Sequence, residues 1–572
     1  MGYHSSLATA AVAAVLTASC SVLAAPTPPS SAVQWQPCAA TSLDSTLPGD
    51  IQTRLECAAF SVPSNYAAAD GGASSHLSIQ LARLPAKNTT TPKGGIYVLP
   101  GGPGEAAIGY RSYLASPVFA SLNGDHDVTI VELRGTGNST RLDCGMAVQN
   151  ATQASACLGI LKQQGLALTD FSTDNAARDL NQVITATARA GSTVTVYGLS
   201  YGTWLAHRYV QLFPGQATAL VLDGLVPYWT RFADSVSTYD DGLAVLGEMC
   251  DGNAACKTLY ATAGSEGGTT VQKIREVLRN LTMTGTQGSS PPPPANNACY
   301  DAVPAELRRM LPLLFTTLAN VTIDSKPYDT RVLLLEMLGR LRRCSDAGQD
   351  ASFLRAATTG LAPLAQSAGA QMQAPKPVAE QPSPLIAVNI VLSEWWTTLA
   401  DATAAQHNAT IANDLAPVLA AVAPVWPTYP APPRTPLTSR FGGRVLVLSG
   451  QLDPQTPVTH ARRTVGEMKA GGVDVVSVEM PRGAHITSLM QMPCAVGSIE
   501  GFVRKGTGAV DAGTCLGDGL DFSVLTATTG LNTTGDGGVN AKSVPNSGTS
   551  GAVRAWVVGL VTVVAFMVSV VA

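Results

Sequence analysis

Between residues 94 and 226, short runs that are apolar at nearly every position alternate with longer amphipathic stretches, as they do in a parallel sheet covered by helices. Gly95-Ile-Tyr-Val-Leu99, Val128-Thr-Ile-Val-Glu-Leu133, Val194-Thr-Val-Tyr197 and Ala219-Leu-Val-Leu-Asp223 are the predicted strands, with a predicted helix over Trp204 to Phe213. The pattern then changes. Residues 227 to 439 carry helical stretches such as Val271–Leu278, Leu307–Leu318 and Val332–Arg343, broken by Pro291–Pro294 and by a proline-rich run at 423–436. Strand signals return at Arg444-Val-Leu-Val-Leu448 and Val475-Val-Ser-Val-Glu479. A sheet split by a helical insertion accounts for this order. The expected architecture is α/β: a first core half over 25–226, a helical cap over 227–439, and a second half with a C-terminal module over 440–516. Residues 517–546 are rich in Gly and Thr and read as a stalk; no internal repeat is present.

Composition narrows the function. The 572 residues hold 36 Lys+Arg against 40 Asp+Glu, a formal net charge of -4, so no basic excess is available to hold nucleic acid. With 45% hydrophobic and 13% charged residues, the chain can bury a large core. Residues 1–24 form an apolar, small-residue segment ending near Ala24 and read as a secretory signal, the alternative being a membrane anchor. At the other end, the small residues Asn546-Ser547-Gly548 lead into the segment 547–572, which continues with a short polar spacer and an uncharged apolar tail from Ala555 to Ala572. That is the pattern of a lipid-anchor signal with Asn546 as the attachment residue; a tail-anchored helix is the alternative. Cys20 leaves with the signal, and the even set that remains points to disulfides rather than zinc, because no spacing is a CxxC or Cys/His ligand set. Sequons begin at Asn88, Asn138, Asn150, Asn280, Asn320, Asn408 and Asn532, as in a eukaryotic secreted or cell-surface glycoprotein.

The chemistry is carried by Gly198-Leu-Ser-Tyr-Gly202. By chance alone a bare GxSxG arises roughly 0.4 times in such a chain, so its placement between a strand and a helix is what gives it weight. A nucleophile elbow needs a tight turn there, and glycines on both sides remove side chains that would collide. Ser200 is the candidate nucleophile, with the Tyr201 N–H facing the oxyanion. In this architecture the acid and base follow in the order Ser, Asp/Glu, His. Asp453, in the loop after the strand 444–448, and His485, just after the strand 475–479, lie on the edge that presents Ser200. Asp223 is a competing acid, and His460 falls inside a predicted helix as a surface or packing residue. Pro100-Gly-Gly-Pro-Gly104 supplies backbone N–H groups, that of Gly102 first, to a developing oxyanion.

Together these residues resemble the prolyl- and tripeptidyl-aminopeptidase group of α/β-hydrolase serine peptidases. The likeness rests on Trp35–Cys38, Leu55-Glu-Cys-Ala-Ala-Phe-Ser-Val-Pro63, GGPG at 101–104, RGTGNS at 134–139, GLSYGT at 198–203, LDG at 222–224, GQLDPQTP at 450–457 and GAH at 483–485. The stretch with Cys494 and Cys515 is similar to the closing module of the tripeptidyl type. The resemblance implies an α/β-hydrolase fold with Ser200 as nucleophile, Asp453 as orienting acid and His485 as base. Two positions depart from the group: Pro100 stands where a His often precedes GGPG in the prolyl branch, and Glu132 replaces the usual Asp before RGxGxS. Val391-Leu-Ser-Glu394-Trp-Trp396 resembles the group's Cys-Ser-Glu segment, which implies that Glu394 holds the substrate's free amino terminus. Nearest-neighbour order and the same resemblance imply the pairs Cys38–Cys57, Cys144–Cys157, Cys250–Cys256, Cys299–Cys344 and Cys494–Cys515. The expectation is a secreted or cell-surface serine exopeptidase acting on peptides with a free N-terminus, without cofactor or metal and joined to the membrane through a lipid. A carboxylic ester hydrolase and a non-catalytic binding ectodomain on the same fold are the alternatives.

Overall fold

The apolar runs become strands, all but the last of them buried on both faces. The computed structural model of the chain describes residues 33–39, 47–66, 75–236, 238–261, 268–282, 302–304, 307, 320–323, 326–343, 349–373, 377–396, 415–490, 492–512, 515 and 519–526. Within them one sheet is built from β1 (Gln36–Pro37), β2 (Glu56–Pro63), β3 (His76–Leu84), β4 (Gly94–Leu99), β5 (His126–Val131), β6 (Thr193–Leu199) and β7 (Ala219–Asp223). It is completed by β10 (Arg444–Gly450) and β11 (Asp474–Met480), while β8 (Asn320–Ile323) and β9 (Lys326–Asp329) form a separate hairpin in the insertion. The sheet order is β1-β2-β3-β5-β4-β6-β7-β10-β11. Pairing is parallel from β5 to β11, and β1, β2 and β3 add an antiparallel edge.

Residue alternation along each strand fills two layers. Val194 and Val196 of β6 join the cluster beneath the helices Thr173–Thr187 and Tyr201–Leu212, whereas Tyr197 and Leu199 join the one beneath Pro117–Leu122 and Pro493–Lys505. Val445 and Val447 of β10 repeat the first choice, Leu446 and Leu448 the second. Each such side chain contributes about 1.5–3 kcal/mol on burial, and reversing the alternation would exchange the residues of the two layers and disturb the packing of both.

Register brings the chemistry to one edge. Leu99 of β4 lies opposite Gly198, Leu199 of β6 opposite Asp223, Leu448 of β10 opposite Asp223, and Gly450 of β10 opposite Met480 of β11. The strands therefore end together, and the loops after β4, β6, β10 and β11 meet at their carboxyl ends, where ligands bind in open α/β sheets.

The insertion between β7 and β10 divides its packing. Its first part has a core of its own, with Leu243, Leu246, Tyr260, Ile274 and Leu334. From Leu385 onward its buried residues, including Val388, Trp395, Leu419 and Trp426, join the main body. One boundary differs from expectation: Ser523–Thr526 is a short helix, and Phe522 and Leu525 are buried in the insertion's core, so this part of the predicted stalk is packed. Disulfides join Cys38–Cys57, Cys144–Cys157, Cys250–Cys256 and Cys494–Cys515. The pair Cys299–Cys344, residues 1–24, Asn546 and the tail 547–572 lie outside the described residues.

Candidate active site

Ser200 stands between the last residue of β6 and the first turn of the helix Tyr201–Leu212, with φ 51° and ψ -121°. A non-glycine residue avoids this region, and holding one there stores of order 1–3 kcal/mol. Neighbouring glycines make the turn possible. A Cβ on Gly198 would come within 2.5 Å of the Gly202 carbonyl oxygen, and one on Gly202 within 2.5 Å of the Leu99 oxygen. The Ser200 N–H donates to the Asp223 carbonyl at 2.9 Å, while Thr203 donates to the Ser200 carbonyl through N–H at 2.8 Å and Oγ1 at 2.6 Å. Tyr201 opens the helix, where backbone N–H groups have no intrahelical acceptor.

The loop after β4 lies against the serine. A Cβ on Gly101 would sit 3.1 Å from that of Ser200, and Gly102 has φ 108°. The Gly101 N–H donates to the Tyr110 hydroxyl at 3.3 Å, and that hydroxyl in turn donates to the buried Glu105 carboxylate. Glu132 fixes the next residues by accepting from the N–H groups of Ala107 at 2.8 Å and Ile108 at 3.2 Å. A Cβ on Gly137 would overlap Glu132 Oε2, so glycine there makes room for the carboxylate. Burial pushes the Glu132 carboxyl above its ordinary value, against the pull of Thr136 and the two amides.

His485 Nδ1 donates to Asp453 Oδ2 at 2.8 Å, and both residues are almost wholly buried. Asp453 also accepts from the N–H groups of Gln455 at 2.8 Å and Thr456 at 2.9 Å and from Thr456 Oγ1 at 2.5 Å. These bonds fix the carboxylate and, through it, the imidazole tautomer. His485 Nε2 has no hydrogen-bond partner among the described residues. Burial works to lower the imidazole's pKa, but the charge and hydrogen bond of Asp453, with Asp223 and Glu105 farther off, hold it above the ordinary histidine value. Asp223, the rival acid, is turned elsewhere. It accepts from Thr487 N–H at 2.8 Å, Thr487 Oγ1 at 2.9 Å and Ser488 N–H at 2.8 Å, and so anchors the backbone just past the histidine. Gly224, next in the chain, lets the ring in: a Cβ there would sit 3.0 Å from His485 Cε1. His460 is half-buried and edge-on to Trp229, with ring centroids 4.9 Å apart, in the helix Val458–Ala470.

Glu394, which the resemblance assigns to the substrate's amino terminus, is engaged by the protein itself. It is 1% exposed, in a π-helical turn over Val391–Trp395. Its Oε1 accepts from Thr173 N–H at 2.9 Å and the Tyr429 hydroxyl at 3.0 Å, and its Oε2 from Thr173 Oγ1 at 2.6 Å and Trp204 Nε1 at 3.1 Å. Burial raises the carboxyl's pKa while these donors oppose the rise. Four protein donors fill the four lone-pair directions of a carboxylate, so an ammonium would have to displace one. Thr173 Oγ1 lies 2.8 Å from the Tyr201 hydroxyl, which links the carboxylate to the residue after Ser200. The side chain is a latch between the insertion and the two helices of the main body. Glu394→Gln turns a donor toward donors and is expected to lower stability by about 1–3 kcal/mol, measured by denaturant unfolding. Turnover of free-amine peptides and aryl esters should fall equally; a loss confined to free-amine peptides would return Glu394 to reading the amine.

Thr456, Glu105 and Tyr110 were not singled out from the sequence; Thr456, three residues after Asp453, stands in the GQLDPQTP stretch already quoted. Among the sequons, Asn88, Asn138 and Asn150 are exposed, and Asn280 and Asn320 lie in a helix and in β8. Asn408 and Asn532 fall outside the described residues. Among the described residues, no group of three or more His, Cys, Asp or Glu side chains is arranged to hold a metal ion, and no helix is long and apolar enough to cross a membrane.

A mostly parallel sheet that lifts one serine on a strand-to-helix elbow and brings an Asp–His pair to the same edge defines a class: the chain has the α/β-hydrolase fold. Residues 96–246 match the alpha/beta hydrolase fold family, and residues 414–515 match the family described as TAP-like protein. Tripeptidyl aminopeptidase from Streptomyces lividans is 26% identical over 217 residues, covering 34% of this chain and 38% of that protein. Serine protease Hip1 from Mycobacterium tuberculosis is 27% identical over 216 residues, covering 34% of this chain and 39% of that protein. The chain thus spans about 38% of the length of the curated relatives it matches. The solved structure of proline iminopeptidase from Mycobacterium smegmatis is 13% identical, with a TM-score of 0.36, over 79% of this chain and 100% of that one.

Proposed function

We propose that this α/β-hydrolase is a serine exopeptidase that releases short peptides or residues from a free N-terminus through an acyl-enzyme. The observation that carries the reading is the buried Asp453–His485 bond with Nε2 unengaged, on the edge where Ser200 is held in its elbow. His485 Nε2 takes the proton as Ser200 Oγ attacks the scissile carbonyl. The negative charge then forming on the carbonyl oxygen is met by the N–H groups of Gly102 and Tyr201. His485 returns the proton to the leaving amine, and water repeats the sequence on the acyl-enzyme. The names of the curated relatives favour peptide over ester substrates.

A panel of free and N-blocked mono-, di- and tripeptidyl fluorogenic substrates, run beside an aryl ester, tests this. Free-amine peptides are expected to be cleaved at least about tenfold faster than their N-acetylated forms, the effect of one charged contact of about 1.4 kcal/mol. Efficient cleavage of acetylated peptides would sink the exopeptidase reading, and turnover of the ester alone would leave an esterase. The disulfides and the exposed sequons favour a location outside the cell. A lipid attachment at Asn546 is tested by release from cells with phosphatidylinositol-specific phospholipase; recovery of the peptide 555–572 from the mature protein would refute it.

A further inference from the structure

The loop that carries His485 is gripped from the insertion. β9 ends at Asp329, and the helix Thr330–Arg343 begins at once with Arg331 in its first turn. The Arg331 side chain is fully buried, and the Asp329 side chain is 6% exposed. The two form a closed pair: Arg331 donates to Asp329 from its own N–H at 2.9 Å, from Nε at 3.0 Å and from Nη2 at 2.8 Å. The remaining arm crosses to the main body, where Arg331 Nη1 donates to the Arg482 carbonyl at 2.5 Å and Arg482 Nη2 donates to Asp329 Oδ2 at 3.2 Å. Arg482 is three residues before His485 in Arg482-Gly-Ala-His485. The same short loop is tied to the Asp453 side by Leu452 N–H donating to the Gly483 carbonyl at 2.9 Å.

Burying an arginine against an aspartate is a poor way merely to fill space, since an apolar pair of equal volume often stabilises as well or better. The pair does fix distances, because a planar guanidinium engaged on two sides has one orientation. We propose that Asp329 and Arg331 are positioning residues that clamp the His485 loop to the insertion, so that the imidazole meets both Asp453 and Ser200 only while the insertion is docked. This rests on the Ser200–His485–Asp453 reading. It adds that the insertion shapes the chemical step and not substrate access alone.

The test uses the intact protein and a fluorophosphonate, which phosphonylates an activated serine without needing peptide recognition. Arg331→Lys keeps the charge but cannot hold Asp329 and the Arg482 carbonyl together; Asp329→Asn keeps the volume and weakens the grip, and it serves alone if the lysine variant does not fold. Both are expected to react at Ser200 about 10- to 100-fold more slowly, with unchanged near-UV circular dichroism at the assay temperature and KM for the aryl ester within about threefold of wild type. The groups facing His485 are Asp453, Asp223 and Glu105, so a loosened loop that weakens the Asp453 contact also moves the acid limb of the reaction to lower pH. Wild-type reaction rates and an unmoved limb in folded variants would overturn the clamp and leave the triad standing. A wild-type protein that is not labelled at Ser200 would overturn the triad and the clamp with it.

Discussion

Ser200→Ala is expected to lower kcat on any substrate by about five to six orders of magnitude while leaving the fold intact, measured by single-turnover assay and thermal unfolding. The double variant Ser200→Ala/His485→Ala should lose little more, because nucleophile and base act as one unit. A companion result follows from the backbone. At φ 51° and ψ -121° the serine occupies a region that glycine tolerates, so Ser200→Gly should be inactive yet more stable by about 1 kcal/mol. Retained turnover in Ser200→Ala would mean that the chemistry lies elsewhere.

Asp453→Asn is expected to cost about 10⁴-fold in kcat, because an amide can turn its NH2 toward His485 Nδ1 and force the proton onto Nε2, where the serine needs a base. Asp223→Asn should lose only about ten- to a hundredfold, since it loosens Thr487 and Ser488 without changing the tautomer. The reverse ranking would make Asp223 the acid. The pH dependence carries a sign. The proposed role of His485 as base requires it neutral, and Asp453 holds its folded-state pKa above the ordinary histidine value despite burial. Wild-type kcat/KM should therefore fall, as pH drops, through a limb above the ordinary histidine value. In Asp453→Asn the raising charge is gone and burial remains, so the limb should move down.

Five of the six parallel strands were legible because both their faces are buried, which leaves near-continuous apolar runs such as Arg444-Val-Leu-Val-Leu448, and the edge strand β11 was legible from the valines at 475, 476 and 478. β3 was equally legible in principle, with Leu77, Ile79 and Leu81 at alternate positions, but the alternation read began only at 94. The hairpin β8–β9 gave no signal: Lys326-Pro-Tyr-Asp329 is polar and holds a proline, which argues against a strand unless it lies at an edge. Phe522 and Leu525 are two apolar residues in a Gly-rich stretch, too few to set a period, and only the insertion's core gives them a place. At the site, chain order and strand ends sufficed to bring Ser200, Asp453 and His485 to one edge. The choice between Asp453 and Asp223 depends on which way a carboxylate turns, and that is set by Thr456, Thr487 and Ser488 from separate loops. The surroundings of Glu394 were not legible for the same reason. Its donors Thr173 and Trp204 come from two helices of the main body and Tyr429 from the insertion, and no local pattern announces them.

β10 pairs with β7 across the whole insertion, and this imposes an order on biosynthesis. The ribosome delivers the elbow with Ser200 early and the loops bearing Asp453 and His485 last. A nascent chain still emerging holds a serine without its base, and so is inert toward its own unfolded segments and toward neighbours in the same compartment. The site can be complete only once β10 and β11 have joined the sheet. The parts of the proposed triad thus meet only in a chain whose synthesis has passed His485.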